Sequence, residues 1–106
     1  MLTITDESEF NPELGLIAIK FEAAWCGPCK KMEPQMHKIE EEFSENIRFL
    51  TIDVDKVPSI AQKYRVRTLP TVLLLKNSHE INRINGVTLI EPLRKAFRDF
   101  VKKEEI

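Results

Sequence analysis

The sequence predicts an α/β fold, a mixed β-sheet flanked by helices in the order β-α-β-α-β-α-β-β-α. Three observations carry this. First, Leu16–Phe21 (Leu-Ile-Ala-Ile-Lys-Phe) and Phe49–Val54 (Phe-Leu-Thr-Ile-Asp-Val) are nearly continuous apolar runs, the pattern of strands covered on both faces. Second, Met32, Met36, Ile39 and Phe43 recur between them at helical spacing. Third, Thr71–Lys76 and Glu80–Asn85 flank the polar turn Asn77-Ser78-His79, a connection short enough for an antiparallel hairpin. Helices alternating with buried strands and followed by a hairpin give a mixed sheet.

Taken in order, a short strand around Leu2–Ile4 leads into a helix capped by Thr5 or Asp6. That helix stops before Asn11-Pro12, because the residue preceding a proline avoids the α region. After the Leu16–Phe21 strand comes the helix that runs toward Phe43, with Lys30, Lys31, Lys38, Glu40 and Glu41 on its other faces. Pro34 falls inside it, where it removes a backbone donor and kinks the helix. The Met32/Met36 pair is read as core rather than as a ligand site. Pro58 opens a short helix through Tyr64, an accepted place for proline. Thr88 and Glu91 have the spacing of a capping box. The box opens a C-terminal helix with Leu89, Leu93, Phe97, Phe100 and Val101 as one apolar face.

At 106 residues the chain is read as one domain, residues 1–106, able to bury a single core. Its 42% hydrophobic and 31% charged residues argue against disorder, and a net charge of −1 with both signs interspersed gives no electrostatic reason to expect nucleic acid or an anionic membrane. The mixed-sign run Lys102–Glu105 is read as a solvated helix terminus. Met1–Glu7 lacks the positive region and apolar run of a signal peptide, and Val72–Leu75 is far too short to span a bilayer. The expectation is a soluble, cytoplasmic protein. Nothing in the sequence asks for an oligomer, so a monomer is expected.

The chemistry lies in Trp25-Cys26-Gly27-Pro28-Cys29-Lys30. With only two cysteines, two residues apart, no disulfide framework staples a small secreted fold. Both follow the Leu16–Phe21 strand and begin the next helix, where unpaired N–H groups and the positive end of the helix dipole stabilise a thiolate. Cys26, at the helix start and the exposed end of the loop, is the better-placed nucleophile. Cys29, one turn inside, returns beside it and can resolve a mixed disulfide. Gly27 lets the loop bend, and Pro28 fixes a φ suited to a first helical turn. A zinc site would also use such a pair but needs four ligands. The only histidines, His37 and His79, lie in the helix and in the distant hairpin turn, so no metal is expected. Asp53 and Asp55 are read as a cap and a solvated charge rather than metal ligands.

On these residues the chain resembles the thioredoxin family over nearly its whole length. Trp25–Lys30 matches the family's active-site motif residue for residue, and Pro34 matches the proline that kinks its active-site helix. Thr68-Leu69-Pro70-Thr71 occupies the segment of the family's cis-proline, and Gly86 matches a glycine lining the same apolar docking surface. The resemblance implies the thioredoxin fold, Cys26 as nucleophile, Cys29 as resolving cysteine, and a cis bond at Leu69–Pro70. It also implies a substrate site bordered by Trp25, Gly27, Pro28, Thr68, Leu69, Pro70 and Gly86. Beside Cys26, Trp25 is read as a solvent-facing contact residue rather than a packing residue.

The departures from the family pattern are at least as informative. The family usually has a buried aspartate six residues before the first cysteine, where this chain has Lys20. At the position of a partnering lysine on the neighbouring strand stands Thr51, and Glu22 replaces a common aromatic. Lys20 cannot copy an aspartate's proton transfer while charged, although a neutral, desolvated amine could accept a proton. Pairing is therefore expected, with Asp53 across the parallel strand pair as first partner and Glu22 as second. The other arrangement carries the charge out to solvent. Lys20 and Asp53 are accordingly read as redox-tuning residues.

The function this implies is thiol–disulfide exchange that reduces protein disulfides in a reducing compartment, with electrons from a thioredoxin-reductase-like donor. No cofactor beyond the Cys26–Cys29 couple is expected, since the chain has no room for a flavin or nicotinamide domain. Two rival readings remain open: a disulfide oxidant or isomerase with a more oxidising potential, and a redox-independent binding subunit of a larger assembly.

Overall fold

In a computed structural model of the chain, which describes residues 1–104, five strands and three α-helices follow one another. They are β1 (Leu2–Ile4), β2 (Leu16–Glu22), α1 (Gly27–Phe43), β3 (Arg48–Asp53), α2 (Pro58–Lys63), β4 (Thr71–Lys76), β5 (His79–Asn85) and α3 (Ile90–Glu104). The sheet order is β1-β3-β2-β4-β5. β1 and β2 both pair parallel with β3, whereas β4 runs antiparallel to β2 and β5 antiparallel to β4. The thioredoxin fold implied by the sequence is thus the fold observed.

Strand β2 sits at the centre, and its alternation separates two cores. Leu16 and Ala18 face α1 and α3 together with Phe49, Val72, Leu74, Met32, Met36 and Phe97. Ile17, Ile19 and Phe21 face the other way, against Leu50, Ile52, Leu73 and α2's Ile60 and Ala61. Both sets being apolar is why the strand reads as a continuous hydrophobic run. Phe97 anchors the first core, its ring 5.8 Å from those of Phe43 and Phe49 and nearly parallel to the latter. By the same alternation, Lys20 points into the layer beneath α1.

Four local expectations change. The first predicted helix is a single 3₁₀ turn, Glu7–Glu9, because a capping box between Asp6 and Glu9 closes it on itself and none of its residues is buried. His79 belongs to β5, so the hairpin turns on Asn77 and Ser78 alone, both at positive φ (47° and 69°). α3 starts at Ile90, so Leu89 precedes it and is 75% exposed rather than part of the apolar face. Glu91 meets Arg94 instead of closing a box with Thr88. The Lys102–Glu105 run lies partly outside the described residues. Among those residues, no helix is long and apolar enough to cross a membrane.

Candidate functional site

The carboxyl ends of β2 and β3 lie side by side, with the Val54 N–H donating to the Glu22 carbonyl at 2.9 Å. From there β2 passes into a tight turn in which the Cys26 N–H donates to the Ala23 carbonyl at 3.1 Å. Cys26 has extended backbone angles and caps α1, its Sγ accepting the Cys29 N–H at 3.2 Å. A sulfur thus occupies the place that a serine or aspartate oxygen usually fills at a helix start, facing the orphan donors that favour negative charge. Pro28 sits in the first turn, where its missing N–H costs nothing. Cys26 and Cys29 are joined in a disulfide, with Cα atoms 5.3 Å apart. In this oxidised state Cys26 is only 3% exposed, less open than its place in the loop suggested.

An apolar groove of about 420 Å³ opens beside the disulfide. Trp25, Cys26, Gly27 and Pro28 form one wall, and Val54, Ala61, Val66, Arg67 and Leu69 form the other. Cys26 lines this groove and Cys29 does not. Gly27 has no left-handed backbone to require it, and a Cβ there would meet open space. Its contribution is a low rim over the groove. Of the residues implied by resemblance, Trp25, Gly27, Pro28 and Leu69 line this groove, and Thr68, Pro70 and Gly86 belong to the adjoining backbone. The Leu69–Pro70 peptide is cis, and the Pro70 carbonyl accepts the Gly86 N–H at 2.7 Å. The Thr68 carbonyl accepts the Thr71 hydroxyl at 2.6 Å. Gly86 has φ +83°, so glycine is needed there for the backbone itself.

Val54, Ala61, Val66 and Arg67 are wall residues that sequence reasoning missed. Val54 had a signal, since sites in such sheets form at the carboxyl ends of parallel strands. The others come together only through the fold. Arg83 of β5 secures their segment, donating to the Tyr64 carbonyl at 2.6 Å and the Arg65 carbonyl at 3.4 Å while paired with Glu80.

Trp25 is 70% exposed, yet its indole N–H is held by Asp55. Asp53 does not pair with Lys20. Its carboxylate accepts the Asp55 N–H at 2.8 Å, a local turn that outcompetes the reach across to β2. Lys20 Nζ instead lies 3.0 Å from Glu22 Oε1 and donates to the Cys29 carbonyl at 3.1 Å. Glu22 wins because it lies on the same strand and face, two residues on. Neither does Lys20 carry its charge to solvent, being 2% exposed. Beneath it is a polar cavity of about 300 Å³ whose lining includes Glu33, His37, Glu40 and Thr51. Among the described residues, no group of three or more His, Cys, Asp or Glu is placed to hold a metal.

Comparison with known proteins agrees with this geometry. A family model described as Thioredoxin matches residues 2–99. Thioredoxin H2 of Arabidopsis thaliana is 39% identical over 89 residues, covering 84% of this chain and 66% of that protein. Thioredoxin-1 of Saccharomyces cerevisiae is 38% identical over 82 residues, 74% of this chain and 79% of its own. The crystal structure of mitochondrial thioredoxin 3 from Saccharomyces cerevisiae, in its oxidised form, superposes with a TM-score of 0.83 at 33% identity, covering 93% of this chain and 94% of that one. The chain spans 50% to 66% of the length of its Arabidopsis relatives.

Proposed function

The chain belongs to the thioredoxin family, and from that premise we propose that it reduces disulfide bonds in proteins by reversible dithiol–disulfide exchange. One observation carries the reading: the Cys26–Cys29 disulfide closes the first turn of α1 with Cys26, the helix-capping sulfur, facing an open apolar groove.

In the reduced chain, the Cys26 thiolate attacks one sulfur of a substrate disulfide. The other substrate sulfur leaves as a thiolate and takes up a proton. Cys29 gives up its proton and attacks Cys26 Sγ in the mixed disulfide, so the second substrate sulfur departs and the chain's own disulfide forms. Two electrons have passed to the substrate, which ends as two thiols. The groove between Trp25 and Leu69 receives the apolar residues flanking the substrate cysteine. The disulfide couple itself carries the electrons. A separate thioredoxin-reductase-type donor returns two electrons per cycle, and a reducing compartment, the cytoplasm, is the setting this reading implies.

The test is reduction of insulin's interchain disulfides in the presence of a thioredoxin reductase and NADPH. The wild-type chain turns over, Cys26→Ser is inactive, and Cys29→Ser accumulates a covalent adduct through Cys26. A wild-type chain that is demonstrably reduced yet leaves insulin intact overturns the proposal.

A further inference from the structure

Among the described residues Lys20 is the only fully buried charged side chain, and the exchange steps above make no use of it. Burying an ammonium group is costly unless it is paired and hydrogen-bonded, and Lys20 has both forms of compensation. Glu22 supplies the counter-charge at 3.0 Å, and the carbonyl of Cys29 supplies an acceptor at 3.1 Å. The ion pair is not symmetric. Its positive end touches the turn that carries the resolving cysteine and is 2% exposed, while its negative end is 30% exposed. Water therefore screens Glu22 more than Lys20, and the field left over at the cysteines is positive. The other titratable groups around the same cavity are Glu33, His37, Glu40 and the Met1 ammonium. Glu40 is met by the Met1 ammonium at 2.6 Å, so its charge is largely spent there.

We propose that the Lys20–Glu22 pair sets the redox poise of the Cys26–Cys29 couple: Lys20 stabilises the reduced, thiolate-bearing form through the Cys29 turn, and Glu22 limits that stabilisation. The inference rests on the exchange chemistry proposed above. Lys20 is a positioning residue here, touching a carbonyl rather than a reacting sulfur.

The test is equilibrium with glutathione, in which the chain's disulfide takes two electrons and two protons from two glutathione thiols, which leave as one glutathione disulfide. Lys20→Met keeps the aliphatic stem and removes the charge. It shifts the equilibrium about tenfold toward the chain's disulfide, a change of ~30 mV for a two-electron couple. Glu22→Gln leaves the ammonium unopposed and shifts it about threefold the other way. Lys20→Arg, which keeps the charge, stays within about twofold of wild type. A role in packing alone has no reason to move the two variants in opposite directions. Shifts of the same sign, or no shift beyond about twofold in either variant, overturn the proposal. If Lys20→Met does not fold, Glu22→Gln decides alone, and an unmoved equilibrium is the negative result. A wild-type chain that does not titrate at all refutes the exchange chemistry, whereas a titrating wild type with unmoved variants refutes only this inference.

Discussion

The indole N–H of Trp25 donates to the Asp55 carboxylate at 2.8 Å, tying the exposed aromatic of the cysteine loop to the segment that follows β3. Asp55 is itself aimed by Asp53, so two carboxylates at the end of one strand fix the posture of the groove's largest side chain.

Asp55→Ala should release that ring. Trp25 is the only tryptophan, so the fluorescence anisotropy decay reports on it alone and should become faster. KM for a peptide disulfide should rise severalfold with kcat nearly unchanged, because a docking contact of this kind acts on ground state and transition state alike. Global stability should fall by about 1 kcal/mol or less, as befits an exposed hydrogen bond. Asp53→Ala should have the same sign and a smaller size. An unchanged anisotropy decay would show that the ring is held by something else.

Arg83→Ala removes the donors that hold the carbonyls of Tyr64 and Arg65, the latter at a left-handed φ of 53°. Hydrogen exchange at the amides of 64–69 should accelerate while α1 keeps its protection. The cost should be about 1–2 kcal/mol, and Arg83→Lys should recover little of it because an ammonium cannot fork between two carbonyls and a carboxylate. Uniform loss of protection across the chain would count against this.

Phe97→Ala should cost about 3–5 kcal/mol in urea unfolding, through lost burial and a cavity beside Phe43 and Phe49. The cysteine equilibrium should hardly move, since this core lies away from the groove. A loss under about 1 kcal/mol would mean that α3 repacks over the hole.

Acid should weaken the chain through surface carboxylates held in their charged form. Glu42 sits below its ordinary value of 4.5 because Arg94 hydrogen-bonds it, Glu9 because the Thr5 N–H does, and Asp6 below 3.8 because of the Ser8 hydroxyl. In each case the unfolded chain binds the proton first, so the stabilisation is complete above pH ~4.5 and is lost as pH falls through the lowered folded-state values. Arg94→Ala should flatten that acid limb, and an acid limb of unchanged steepness would remove Glu42 from the explanation.

The strands were legible because β2, β3 and β4 are each covered on both faces, which leaves an unbroken apolar run to read. The active-site helix was legible because its start coincides with Cys26-Gly27-Pro28-Cys29. The sequence marked Lys20 as an unusual charge on the central strand, at the place of the family's buried aspartate. What it could not show was the partner, since Asp53 and Glu22 lie on the same face and only the local Asp53–Asp55 turn decides between them. The far wall of the groove was illegible for a different reason. Val54, Ala61, Val66 and Arg67 follow no shared period and meet only once β3, α2 and the Leu69–Pro70 segment are assembled. The first helix failed for lack of anything to bury.

The bond joining Cys26 to Cys29 spans a single helical turn, with only Gly27 and Pro28 between the two cysteines. The entropy a crosslink removes from an unfolded chain grows with the length of the loop it closes, and this loop is close to the shortest possible. Making or breaking the bond therefore changes the chain's freedom far less than a long-range staple would, and the two hydrophobic layers on either side of β2 hold the architecture in either state. The Cys26–Cys29 bond can open and close while the fold stands, because the shape of the chain is not secured by it.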